Sequence, residues 1–130
     1  DESSTGDGDF DTLVIRMNRG NMGAITLDDN ITAIKFFRML AVTNAVTFTL
    51  QITQASAGGK TIDYTASAVQ MYENDGVSTF TGEVYWSGGV PHTMTTTANA
   101  VDIVQFTCIP TGSTYNVFAS VIGQGFAVAT

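Results

Sequence analysis

Val46-Thr47-Phe48-Thr49-Leu50-Gln51-Ile52-Thr53 decides how the rest of the chain is read. Apolar side chains fall at every second position and polar, mostly β-branched ones fall between them. A strand places successive side chains on opposite faces, so this period of two marks a half-buried antiparallel strand with one dry face and one wet face. Downstream, Gln54 to Gly59 turns the chain, and Lys60 to Tyr64 and Ala68 to Glu73 give two shorter strands. Asn74-Asp75-Gly76 supplies a turn of the hairpin kind, and Thr79 to Trp86 a further strand. Upstream, Thr12 to Asn18 and Ala24 to Asp28 read as strands separated by the turn Asn18-Arg19-Gly20-Asn21. Ala33 to Val42 carries both a helical stripe through Ile34, Phe37 and Leu40 and an adequate strand alternation, and it is assigned as a strand.

The stretch from Trp86 to Phe106 falls into two parts. Trp86-Ser87-Gly88-Gly89-Val90-Pro91-His92 is corner chemistry, because two glycines and a proline disfavour any helix interior. Val101 to Ile109 is a strand apolar on both faces, ended by Pro110-Thr111-Gly112. Tyr115 to Ile122 and a short Phe126 to Val128 complete the set. Short strands with turn signals about every ten residues predict an all-β domain, an antiparallel sandwich or barrel, spanning residues 12–130. Residues 1–11 hold one large apolar side chain, Phe10, and form an acidic arm that is ordered only if its own domain or a neighbour holds it.

Composition narrows the function classes. The net charge of −7 is concentrated in the arm, where Asp1, Glu2, Asp7, Asp9 and Asp11 lie; residues 12–130 carry seven acids against five bases. Arg16, Arg19, Lys35, Arg38 and Lys60 are scattered, so there is no basic face for nucleic acid or for an anionic membrane. No apolar run is long enough to be a spanning helix. Only 13% of residues are charged while threonine occurs twenty times, a profile suited to strand faces that meet other protein surfaces. The single Cys108 rules out an intrachain disulfide, and in an apolar strand it reads as a small buried hydrophobe.

The motifs that resemble catalytic or cofactor sites are incomplete. Gly58-Gly59-Lys60-Thr61 matches the end of a phosphate loop, but the first glycine of that pattern is replaced by Gln54. Asp7, Asp9 and Asp11 have calcium-loop spacing, yet Thr12 and Asn18 stand where the glycine and closing glutamate belong. His92 is the only histidine, and Ser87 sits on no nucleophile elbow. Asp63, Glu73, Glu83 and Asp102 offer no specific carboxylate pair, and Asp102 reads as an acceptor of backbone N–H bonds at the start of its strand. Asn30-Ile31-Thr32 is a glycosylation sequon of consequence only in a secreted eukaryotic protein. Tyr72, Tyr85 and Trp86 are of the type that stacks on sugar rings and equally of the type that anchors a core or a protein contact. The chemistry therefore predicts no catalytic residue, no cofactor and no metal.

Three pieces together resemble a β-domain of structural proteins of tailed bacteriophages, tail fibres among them. The first is Phe48-Thr49-Leu50-Gln51-Ile52-Thr53-Gln54 followed by Gly58-Gly59-Lys60-Thr61-Ile62. The second, Trp86-Ser87-Gly88-Gly89-Val90-Pro91-His92-Thr93-Met94-Thr95, is similar to a Gly-Gly-x-x-Pro-x-Leu-Thr corner, with Met94 in place of the leucine. The third, Thr97-Ala98-Asn99-Ala100-Val101-Asp102-Ile103-Val104-Gln105-Phe106, is similar to an Ala-x-Ala-Val-Asp-x-x-x-Phe strand. The resemblance spans roughly residues 24–126 and implies an antiparallel, jelly-roll-like β-sandwich on a virion surface. It also implies an oligomer, often a trimer, that contacts other virion proteins as a capsid decoration protein or a short head or tail appendage. Host attachment through a cell-surface glycan is the alternative it leaves open. In this reading Gly88, Gly89 and Pro91 shape a structural corner, Asp102 belongs to it as a hydrogen-bonder at the start of the strand, and Val104 and Phe106 enter the core.

Overall fold

The computed structural model of the chain describes residues 2–4, 11–17, 20–39, 44–65, 67–73, 79–80 and 82–129. The strands are β1 (Glu2–Ser4), β2 (Thr12–Arg16), β3 (Met22–Leu27), β4 (Ala33–Met39), β5 (Val46–Gln54), β6 (Val69–Glu73), β7 (Thr79–Phe80), β8 (Val84–Trp86), β9 (Val101–Thr111) and β10 (Thr114–Phe126). They form two five-stranded sheets, β1-β2-β4-β6-β7 and β3-β5-β9-β10-β8. The all-β expectation holds. The strictly antiparallel one does not, because β1–β2, β2–β4, β4–β6, β3–β5 and β8–β10 pair parallel, while β5–β9, β9–β10 and β6–β7 pair antiparallel.

The parallel pairing follows from the route of the chain. From β2 to β6 successive strands alternate between the two sheets, so the chain winds as a flattened coil and each turn lays a strand beside that of the turn before. Parallel neighbours need a crossover between them, and here the crossover is a strand of the opposite sheet. Between turns, Ile31 bridges Ile62 in parallel, and Asp11 O accepts N–H bonds from Thr32 and Ala33. The second half then closes the structure with a hairpin, β9 to β10, through Gly112 at φ 77° and Ser113.

The period of two places the core. Phe48, Leu50 and Ile52 of β5 point inward with Val104, Phe106 and Cys108 of β9 and Tyr115 and Val117 of β10. Across from them lie Leu13, Ile15, Ile34, Phe36 and Met71 of the other sheet. The Phe36 ring meets Phe48 and Phe106 edge-on, at 6.4 and 5.3 Å between centroids, which ties the two sheets through one aromatic cluster.

Several elements differ from their sequence assignments. Lys60 to Tyr64 is extended but makes only the Ile62 bridge, since this segment links the sheets rather than lying in one. Thr79 to Trp86 is two strands in different sheets, parted at Gly82, where a Cβ would lie 1.5 Å from the Tyr115 carbonyl oxygen. Pro110 stays inside β9 because it lies beyond the last β5 pairing, Val46 with Cys108, so no neighbour misses its N–H. Tyr115 to Ile122 and Phe126 to Val128 merge into β10, with register irregularities between Val121 and Phe126, and Ala127 and Val128 fall outside it. Ala33–Met39 is a strand, as assigned. Within the acidic arm, Glu2–Ser4 pairs parallel with Thr12–Val14. The Asn74-Asp75-Gly76 turn, Asn18 and Arg19, Leu40 to Val42, and Asp7 and Asp9 lie outside the described residues.

Candidate interaction face

The corner before β9 is built around two buried polar side chains. After β8, Ser87–Gly89 makes one 3₁₀ turn in which Gly88 and Gly89 take φ of 73° and 77°, values costly for any side chain with a Cβ. Pro91 leads the extended chain to Thr95, and Asn99 takes φ 62° in the turn that enters β9. Asp102, 1% exposed, accepts a bond from the Thr95 N–H at 2.9 Å and another from the Gly125 N–H at 2.9 Å, and His92 Nε2 lies 2.8 Å from its Oδ2. It accepts backbone N–H bonds, as the sequence suggests, but from Thr95 in the corner and Gly125 near the end of β10, so it pins the corner to the far end of β10 as well as to the start of β9. Burial raises the Asp102 pKa, but the backbone bonds from Thr95 and Gly125 and the His92 contact outweigh it, leaving the carboxyl below its ordinary value.

Gln54 is the second clamp, a role that its place at the start of a turn and in the first resemblance motif did not assign to it. It continues the inward register Phe48, Leu50, Ile52, and a polar side chain on that face must be hydrogen-bonded inside. Its Nε2 donates to Lys60 O and Thr95 O at 2.5 and 3.0 Å, and Oε1 accepts from the Lys60 N–H at 3.2 Å. The Gly58-Gly59 loop is thereby held on the corner. A Cβ on Gly58 would stand 2.7 Å from Thr96 O, so close backbone packing accounts for this glycine without a phosphate.

The residues singled out from sequence do not converge. Trp86 turns inward: its Nε1 donates to Tyr64 O at 3.1 Å, and its ring meets Tyr64 and Phe106 edge-on. Tyr64 in turn donates to Met94 Sδ at 3.3 Å, and burial together with the Asp102 charge pushes its hydroxyl well above the usual pKa. Tyr72 lies on the first sheet, half-buried against Phe37 at 4.6 Å and beneath the Lys35 ammonium at 5.9 Å. Only Tyr85 is exposed, and it stacks on Phe118 with centroids 4.9 Å apart and planes 10° apart. His92 and Asp102 form a sealed pair, with side chains 4% and 1% exposed, and among the described residues no hydroxyl or thiol is bonded to His92. Asp63 accepts from the N–H and hydroxyl of Thr65 in its own loop, which lowers its pKa, and Glu83 stands exposed before β8. Asn30 Oδ1 accepts from the Thr61 N–H. Cys108 is buried, and desolvation raises its thiol to about 12. Among the described residues no group of His, Cys, Asp and Glu is placed to hold a metal ion.

The outer face of the second sheet carries the stronger signal. Strands β3, β5, β8, β9 and β10 contain one charged residue, Asp102, and it points inward; the chain as a whole is 13% charged. The first sheet, by contrast, holds Glu2, Arg16, Lys35, Arg38 and Glu73. Met22, Tyr85, Ile109, Phe118, Ile122 and Phe126 are all exposed large apolar residues on the second sheet, between 41% and 74% accessible. Threonines 47, 49 and 107 and glutamines 51 and 105 fill the outward positions among them. A groove of about 450 Å³ runs beside the Tyr85–Phe118 stack, with Thr107 and Ser120 on its wall. An uncharged, partly apolar patch of this breadth is unusual for surface facing only water. Phe118 and Met22 were not singled out from the sequence, although each occupies an outward position in the alternation of its strand. Comparison with known protein families, with curated proteins and with solved structures finds no match to this chain.

Proposed function

We propose that the chain is a non-enzymatic structural protein of a tailed-phage virion surface, a capsid decoration protein or short head or tail appendage, which works by burying one sheet face against neighbouring subunits. The observation that carries the assembly part of this reading is the charge-free outer face of β3-β5-β9-β10-β8 with its six exposed large apolar side chains. In a chain of net charge −7, a face without charge is one on which a neighbour docks with no desolvation of ions and no like-charge contact. The phage context comes from the three-part sequence resemblance, and two sheets around a shared core are compatible with it. Within this proposal the jelly-roll comparison extends to the layered architecture, with a coil of parallel strands in place of some antiparallel ones.

Immunogold electron microscopy of the phage that encodes the chain, with antibody against the purified protein, tests the location. Labelling of the particle exterior is expected, and particles free of both label and protein would refute it. A second reading, host attachment through a glycan, draws on the exposed Tyr85–Phe118 stack and its groove. It ranks behind because Tyr72 lies on the other sheet, Trp86 lines the groove but spends its indole N–H on Tyr64 O, and no Asp or Asn lines that groove to hold sugar hydroxyls. Glycan-array binding that disappears in Tyr85→Ala would reverse the order.

A further inference from the structure

Among the described residues, nothing pairs with the outer edge of the second sheet at β3. Of the four edge strands, β1, β7 and β8 are two or three residues long, too short to template a partner, whereas β3 runs six residues, Met22-Gly23-Ala24-Ile25-Thr26-Leu27. Edge strands are ordinarily blunted by a charge, a proline or a bulge, because an open row of N–H and C=O groups invites pairing. β3 has no charge and no proline, and its register against β5 is unbroken from Met22 to Leu27.

The hydrogen-bond parity identifies the open groups. Thr49 N–H donates to Asn21 O at 2.9 Å and Ala55 N–H donates to Leu27 O at 3.2 Å, so odd-numbered residues turn their backbone polar groups toward β5. The N–H and C=O groups of Met22, Ala24 and Thr26 therefore point away from the sheet. Their side chains lie on the outer face, all exposed, while Ile25 and Leu27 are in the core.

We propose that β3 is the docking edge for a second copy of this chain, paired antiparallel about a two-fold axis at Ala24. The proposal rests on the assembly reading above and names the copy and the strand through which assembly begins. The edge is self-complementary: with Ala24 opposite Ala24, Met22 falls opposite Thr26, and all three pairs lie on the hydrogen-bonding parity, giving about six interchain bonds. Gly23 then faces Ile25 in the intervening pairs. On the outer face a flexible methionine crosses a threonine and the small alanines meet at the axis, without a steric conflict. Two copies each of charge −7 repel one another through their acidic surfaces, and this edge together with the face that continues from it carries no charge. Pairing joins the two outer faces into one continuous sheet surface across the axis, in line with the closed two-fold symmetry most homo-oligomers adopt.

The test uses the full chain in a concentration series by sedimentation velocity, with amide hydrogen exchange on the same samples. The expected result is a dimer whose formation slows exchange at Met22, Ala24 and Thr26. Ala24→Pro removes the central donor at a position where an edge strand tolerates proline, and Thr26→Lys places a charge on the edge without altering the backbone. Ala24→Pro removes one donor from each copy, two interchain bonds in all, and should weaken dimerisation at least about tenfold. Thr26→Lys keeps the bonds but brings an ammonium to the pairing edge, and should weaken it in the same direction. Protected Ile25 and Leu27 amides in these variants show that the strand is still folded. A chain that stays monomeric, with exchange at the three open amides independent of concentration, overturns the edge, and external labelling of virions in that case leaves the surface role standing. An oligomer that survives Ala24→Pro and Thr26→Lys but is lost in Ile103→Lys also overturns the edge and moves the contact to the sheet face. An edge dimer with no virion labelling supports the edge and overturns the virion role.

Discussion

Removing the Asp102 carboxylate tests whether the corner is held as described. Asp102→Ala leaves the Thr95 and Gly125 N–H groups without their acceptor and strips His92 of its partner; Asp102 itself is buried, Thr95 half-buried and Gly125 at the surface. A buried donor left unpaired costs about 1–3 kcal/mol; water can replace the acceptor at the exposed Gly125, so the Thr95 donor and the histidine contact carry most of the effect and the predicted loss is about 2–4 kcal/mol. That is a large share of the roughly 5–15 kcal/mol that holds a typical domain folded. Asp102→Asn preserves the shape but offers one acceptor oxygen where Thr95 and Gly125 approach from two sides. One backbone donor then faces an amide NH₂, and the predicted loss is about 1–3 kcal/mol. Urea unfolding followed by fluorescence of the single Trp86, which packs in this corner, measures both values.

The pH dependence supplies an independent check. Burial raises the pKa of Asp102, the bonds from Thr95, Gly125 and His92 lower it by more, and the folded value ends below the ordinary 3.8. Near pH 4 the unfolded chain therefore binds more protons at this site, and its stabilisation is complete above the unfolded pKa and is lost as pH falls through the folded one. Wild-type stability should drop more steeply than that of Asp102→Asn as the pH is lowered below about 4. Parallel acid profiles for the two proteins, or a loss under about 1 kcal/mol in Asp102→Ala, would refute the clamp.

Two further perturbations probe the packing. Gly82→Ala forces a methyl to within 1.5 Å of the Tyr115 carbonyl oxygen at the point where the chain changes sheets. The backbone must move, and the expected destabilisation is about 3 kcal/mol or more, read from denaturant midpoints; a midpoint equal to wild type would mean the crossing is looser than described. Cys108, raised to about 12 and enclosed by the core, should react with a thiol reagent at pH 8 more than about a thousandfold more slowly than a free cysteine. Reaction should accelerate in step with unfolding across a urea series, and fast reaction of the native protein would contradict the burial.

The amino-acid sequence by itself determined the class of the fold and the part of the core that lies on its clearest strands. Alternation in Val46–Thr53 assigned Phe48, Leu50 and Ile52 to the interior, and the glycines, Pro91 and the apolar run after Val101 marked a corner feeding a core strand. These are local properties, fixed by the geometry of a single strand or turn. Strand direction and partner are not local: a half-buried strand shows the same alternation whether its neighbour runs parallel or antiparallel. Only the tertiary structure decided that β2 to β6 wind between two sheets, that Thr79 to Trp86 divides between them, and that Asp102 reaches Gly125. The same holds for the candidate face. Each outward Thr, Gln or Phe is unexceptional in its own strand, and the absence of charge becomes a surface property only when five strands distant in the chain are set side by side.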